Sequence, residues 1–141
     1  MQSGALTAHA IRLQPGDDLV SSLHNAARQA SSACCILTAV GSLDQVTLRM
    51  ASAADGSQND IKTWNERLEV VSLVGTLSGD DKHLHLCCSD AQGRTFGGHL
   101  MAGRIFTTLE LVLGSLEGVT FRRILDARTG YRELSVEKRD E

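Results

Sequence analysis

The chain has 141 residues, of which 42% are hydrophobic, 22% charged and 4% aromatic, and its formal net charge is −3. That length suits one domain, and the balance is that of a folded globular protein rather than a disordered one. The negative charge argues against broad electrostatic binding to nucleic acid or an anionic membrane, and no apolar run approaches the ~20 residues of a membrane helix.

Met1-Gln2-Ser3-Gly4 lacks the basic-then-apolar pattern of a signal peptide. The expectation is an intracellular, cytoplasmic protein, with a nuclear location also open. The first periodic segment, Leu6 to Leu13, reads as a strand, and Pro15-Gly16 breaks it. Asp17 or Asp18 can cap a helix. Leu19, Val20, Leu23, Ala26, Ala27 and Ala30 recur at helical spacing, which predicts an amphipathic helix over 17–31. The apolar run Ala33 to Val40, ending at Gly41, reads as a buried strand. Cys34-Cys35 and Cys87-Cys88 are adjacent pairs with no Cys-x-x-Cys, so they are expected as buried thiols rather than a zinc ribbon or redox site.

Gln45 to Ser52 alternates as a strand does, and Ala54-Asp55-Gly56-Ser57 has turn chemistry. Leu68 to Leu77 is rich in Val and Leu and closes on Ser78-Gly79. His83 to Cys88 and Thr95 to Leu100 flank a turn. Ile105 to Leu113 suits helix or strand, and Thr107-Thr108 with the nearby Gly103 and Gly114 favour strand. Val119 to Leu125 is a further strand, with a short one over Tyr131 to Val136 and a short charged tail from Ser135. One helix against about seven strands predicts an α+β class, a single domain over residues 1–141 with a mixed or mostly antiparallel sheet.

The chemistry is concentrated in residues 83–100. On a strand, alternate side chains share a face, so His83, His85 and Cys87 lie together opposite Leu84, Leu86 and Cys88. The leucine face is the natural core face. A three-residue loop Ala91-Gln92-Gly93 puts glycine at the left-handed position of a hairpin turn. Asp90 then pairs with Arg94, and His85 falls opposite His99 on the same face. A four-residue loop would instead set Leu84 opposite His99 and scatter the imidazoles. The first register predicts that His83, His85 and His99 converge.

Three neutral imidazoles can bind zinc or another divalent metal and leave a position open for water, whose pKa the metal lowers. Gly97 and Gly98 in a strand point to close approach of a ligand or of another backbone, and they would clear the metal face for a cofactor. The alternative is that His-x-His only forms a polar outward face. Glu110 and Glu69, each among apolar neighbours, are the candidate catalytic acids or bases, against the reading that they face solvent or pair with an arginine. Arg122-Arg123 and Arg104 can hold an anion or form salt bridges. His9 and His24 read as packed or satisfied groups, and Ser42 and Ser72 have no His–Asp arrangement behind them.

These landmarks resemble the plants-and-prokaryotes-conserved (PPC) domain. They run from Arg12-Leu13 and Pro15-Gly16-Asp17-Asp18-Leu19 through Gly41-Ser42-Leu43, Val71-Ser72-Leu73 and Gly75-Thr76. The most specific stretch is His83-Leu84-His85-Leu86, Gly93, Gly97-Gly98-His99-Leu100 and Gly103, followed by Thr107-Thr108, Glu110 and Phe121-Arg122-Arg123. The resemblance covers about residues 6–136. It implies an α+β fold assembled as a homotrimer. In plants it implies coupling to AT-hook DNA-binding motifs in nuclear proteins, but this sequence has no Arg-Gly-Arg-Pro hook and resembles the stand-alone form. A remoter resemblance, to acetolactate decarboxylase and a related zinc hydrolase, implies that His83, His85 and His99 hold the metal. Two functions follow as expectations. One is a metal-dependent hydrolase or lyase acting on a small carbonyl compound, with that small molecule as ligand. The other is a non-catalytic module for oligomerisation and protein interaction; DNA binding is disfavoured by charge and no membrane association is expected.

Overall fold

The computed structural model describes residues 1–51 and 60–139. The chain runs β1 (Leu6–Leu13), α1 (Leu19–Ala30), β2 (Cys34–Arg49), β3 (Ile61–Trp64), β4 (Leu68–Leu77), β5 (Lys82–Ser89), β6 (Thr95–Leu116), β7 (Val119–Leu125) and β8 (Arg132–Lys138). Six strands form one sheet in the order β1-β6-β5-β4-β2-β3, with β6 also pairing with β2. Every pairing in it is antiparallel. Because β2 pairs with both β4 and β6, the circuit β2-β4-β5-β6 closes on itself. Closure removes the free edges of these four strands and gives the leucines one enclosed interior. Leu43, Leu48, Leu68, Leu84, Leu86, Leu100 and Leu109 are buried in the core. No described helix is long and apolar enough to cross a membrane.

The helix forms where its periodicity places it. Asp18 is the N-cap, its carboxylate accepting from the Ser21 amide at 2.8 Å. Leu19, Leu23 and Ala27 are buried. Two expected breaks are not breaks. The runs begun at Ala33 and Gln45 join in one 16-residue strand, β2 (Cys34–Arg49), and Thr95–Leu100 and Ile105–Leu113 belong to one 22-residue strand, β6. Register shifts along the β2–β6 ladder bend the strands without ending them. At Gly41 a side chain would collide with the Thr108 carbonyl, so this glycine lets two backbones touch rather than marking a turn. Strand β3 lies beyond the sequence expectation, and β8 continues into the charged tail as far as Lys138. The expected turn at Ala54–Ser57 falls outside the described residues.

Strands β7 and β8 form a separate two-stranded ribbon. It is tied to the main sheet by Arg123, which donates to Thr76 Oγ1 on β4 at 2.9 Å. This docking sets the terminal ribbon beside the outer face of β5.

Candidate metal centre

The β5–β6 hairpin adopts the register that brings the imidazoles together. Asp90 N donates to the Arg94 carbonyl at 3.0 Å, and Gly93 N donates to the Asp90 carbonyl at 2.9 Å. The Asp90 carboxylate also accepts from the amides of Gln92 and Arg94, both at 2.9 Å. Gly93 has φ +76°, the left-handed conformation that side chains resist. His85 consequently pairs with His99, Leu86 with Gly98 and Cys87 with Gly97.

Alternation then sorts the two faces. Leu84, Leu86 and Cys88 are buried, whereas His83 and His85 are exposed and His99 is half-buried. The ring centroids are 5.0 Å apart for His83–His85, 5.3 Å for His83–His99 and 5.7 Å for His85–His99. One nitrogen from each lies within 4.8 Å of the others, forming the one such metal-competent cluster among the described residues. The Nε2 atoms of His83 and His85 stand 3.2 Å apart. Two imidazoles on one tetrahedral zinc at ordinary bond lengths have nitrogens roughly 3.3 Å apart. The buried Nδ1 of His99 has no hydrogen-bond partner, a condition a metal or its ligand shell would relieve. The residues present therefore fit a divalent ion.

Electrostatics favours the neutral, ligand-competent imidazole. Burial, followed by the Arg49 and Lys82 cations, pushes the His99 pKa down to about 4. Burial, then Arg123 and His85, lowers that of His83. A group whose folded pKa is depressed binds fewer protons than its unfolded counterpart between the two values. The contribution of His99 to stability is thus whole above about pH 6.5 and declines as pH falls toward about 4. In chelator-treated protein, NMR of the His99 ring is expected to show the neutral form down to about pH 4. A midpoint near 6.5 would contradict the burial and cationic surroundings described here.

The expected acids lie elsewhere. Glu110 is exposed on β6, pairing across to Arg12 on β1 and Val40 on β2. Glu69 is exposed on β4, paired with Ser42 and Ser89. Neither lines the cleft beside the imidazoles, which is formed instead with Arg49, Lys82, Arg123, Arg132, Asp81 and Glu133. Gly97 and Gly98 follow the backbone alternative. A Cβ at Gly97 would lie 2.7 Å from the Leu86 carbonyl oxygen, and one at Gly98 would lie 2.8 Å from that of Arg49. They let β5, β6 and β2 come together under the histidines. Arg104 pairs with Asp44 at 2.7 Å and Arg122 with Glu137 at 3.1 Å, leaving Arg123 as the arginine of that set facing the cleft.

His9 Nε2 contacts Ser115 Oγ at 2.9 Å, and His24 Nδ1 contacts the Ser78 carbonyl at 3.1 Å, so both are satisfied away from the cluster. All four cysteines are free. Burial, then the neighbouring Cys35, pushes the Cys34 thiol up to about 11, and burial, then Cys87, pushes Cys88 up to about 12. Both are protonated and inert at neutral pH. Sequence reasoning missed Arg49, Lys82, Arg132 and Glu133. The one local signal was Lys82 beside His83; the others are brought in on two further strands, Arg49 on β2 and Arg132 and Glu133 on β8.

Comparison with known proteins agrees with this architecture. A "Bifunctional protein GlmU" of Synechococcus sp. (strain JA-3-3Ab) is 46% identical over 98% of this chain. The chain spans 22% of that relative's length. An AT-hook motif nuclear-localized protein of Arabidopsis thaliana is 29% identical over 94% of the chain, which spans 32% of it. Among solved structures, a hypothetical protein of Salmonella enterica superposes with TM-score 0.90 at 38% identity, covering 98% of both chains. A metal-containing protein of Archaeoglobus fulgidus superposes with TM-score 0.80 at 23% identity, covering 96% of this chain and 99% of its own. The model of the Plants and Prokaryotes Conserved domain matches residues 1–117, and with the hairpin motif and the closed sheet this places the chain in that family, the one its histidine and glycine landmarks resemble.

Proposed function

We propose that this domain is a metal-binding protein whose His83, His85 and His99 hold one divalent ion, zinc or another imidazole-preferring metal. The observation that carries the reading is the convergence of three ligand nitrogens within 4.8 Å on the face turned away from the core. The metal-containing Archaeoglobus protein of the same fold supports it. When bound, such an ion supplies Lewis acidity for hydrolysis or decarboxylation of a small carbonyl compound. The chain's own groups complete the site. Lys82, held by its hydrogen bond to the Leu100 carbonyl at 2.7 Å, sets a cation at the cleft wall. The proton-transfer role considered for Glu110 or Glu69 falls by position to Glu133 or Asp81. A homotrimer is the proposed working unit, consistent with exposed Leu37, Val40, Val71 and Val74 on the paired strands β2 and β4.

The second reading is a non-catalytic assembly module. It is favoured by relatives that carry this segment as about a fifth or a third of a longer chain. Metal analysis of untagged protein after dialysis separates the two. The metal reading expects one equivalent per chain, lost in His99→Ala. Less than a third of an equivalent, unaltered by that substitution, leaves the assembly module standing.

A further inference from the structure

The cleft beside the imidazoles is ringed by cations that have no carboxylate partner among the described residues. Arg49 comes from β2, Lys82 from β5, and Arg123 and Arg132 from the terminal ribbon. Among the described residues, Arg28, Arg94, Arg104, Arg122 and Arg128 each form an ion pair, and none of these four cations does. They are nevertheless anchored. Arg49 sits opposite His99 in the β2–β6 ladder. Lys82 and Arg123 make the hydrogen bonds already described, and Arg132 donates twice to the Arg123 carbonyl, at 3.2 and 2.9 Å. Asp81 and Glu133 face the same space, and neither comes within ion-pair distance of a cation. Four like charges held around one concavity repel each other and focus a positive potential into it. That potential is felt by His83 and His99, whose pKa values it helps to depress.

We infer that this cleft binds a small organic anion, a carboxylate or a phosphate monoester, with its charged end on the Arg49, Lys82, Arg123 and Arg132 cations and its remainder against the imidazole face. The guanidinium forks match carboxylate and phosphate oxygens bidentately. The cavity, about 360 Å³, is within the range of small-ligand sites. The proposal deepens the metal reading by naming the ligand class. The anion subsite itself is made by side chains other than the metal ligands, so the two readings can fail separately.

The test is calorimetric titration of the full chain with inorganic phosphate and with pyruvate, at constant ionic strength and with chloride as control. It is run on zinc-loaded and on chelator-treated protein, with metal content measured alongside. One of the two anions is expected to bind at least tenfold more tightly than chloride, and the tighter one assigns the headgroup. Arg49→Gln and Arg132→Gln, both checked for unchanged melting, are each expected to weaken that binding at least tenfold at unaltered metal content. Anion binding that persists without metal retention upholds this proposal and sinks the metal reading. Binding no better than chloride in both protein forms, or equal affinity in wild type and both variants, overturns it.

Discussion

Leu84→Ala is expected to destabilise the metal-free domain by about 2.7–5 kcal/mol, and His85→Ala, one residue along the same strand, by about 0.5 kcal/mol or less. The two residues are neighbours on β5 but lie on opposite faces. Leu84 is fully buried at 0% exposure among leucines from the other strands of the closed circuit, so truncation removes apolar contact and leaves a cavity in a rigid surround. His85 faces outward beside two other imidazoles, and removing it relieves crowding as much as it removes contact. Urea unfolding of chelator-treated protein measures both. Equal losses would mean that β5 does not turn its leucines inward, and the three-histidine face would go with that register.

The second large effect is stabilisation by metal. A ligand that binds only the folded state adds about 2.7 kcal/mol when free at a hundred times its Kd, on the order of 10 °C in Tm for a domain of this size. Zinc is expected to raise the Tm of chelator-treated wild type by about that amount. The same zinc is expected to leave His85→Ala and His99→Ala nearly unmoved, since two imidazoles cannot close a site designed around three. Because His85→Ala is expected to fold normally, a missing shift in that variant reports on the site and not on unfolding. An equal shift in all three proteins would place the metal elsewhere.

Much of this site was legible in local sequence. The alternation through His83-Leu84-His85-Leu86 assigns the faces. Gly93, three residues beyond Asp90, selects the turn that pairs His85 with His99, because only a residue free to adopt positive φ closes that loop. The helix was legible for the same reason, its apolar stripe and Asp18 cap being local. The misread break at Gly41 shows the limit. Glycine signals a turn in isolation, but in β2 it admits the Thr108 carbonyl.

By itself, then, the sequence determined one α+β domain, its leucine core face and a three-imidazole cluster on the opposite side, because turn chemistry and strand periodicity act over a few residues. Only the tertiary structure decided what surrounds that cluster. Arg49 reaches His99 through the β2–β6 ladder, and Arg123, Arg132 and Glu133 arrive on a ribbon held to β4 by Arg123 and Thr76. Those partners lie tens of residues away along the chain, and their approach depends on sheet closure and ribbon docking, which no local pattern encodes. The same long-range pairing leaves Glu110 and Glu69 outside the cleft and puts at its wall four cations that form no ion pair among the described residues.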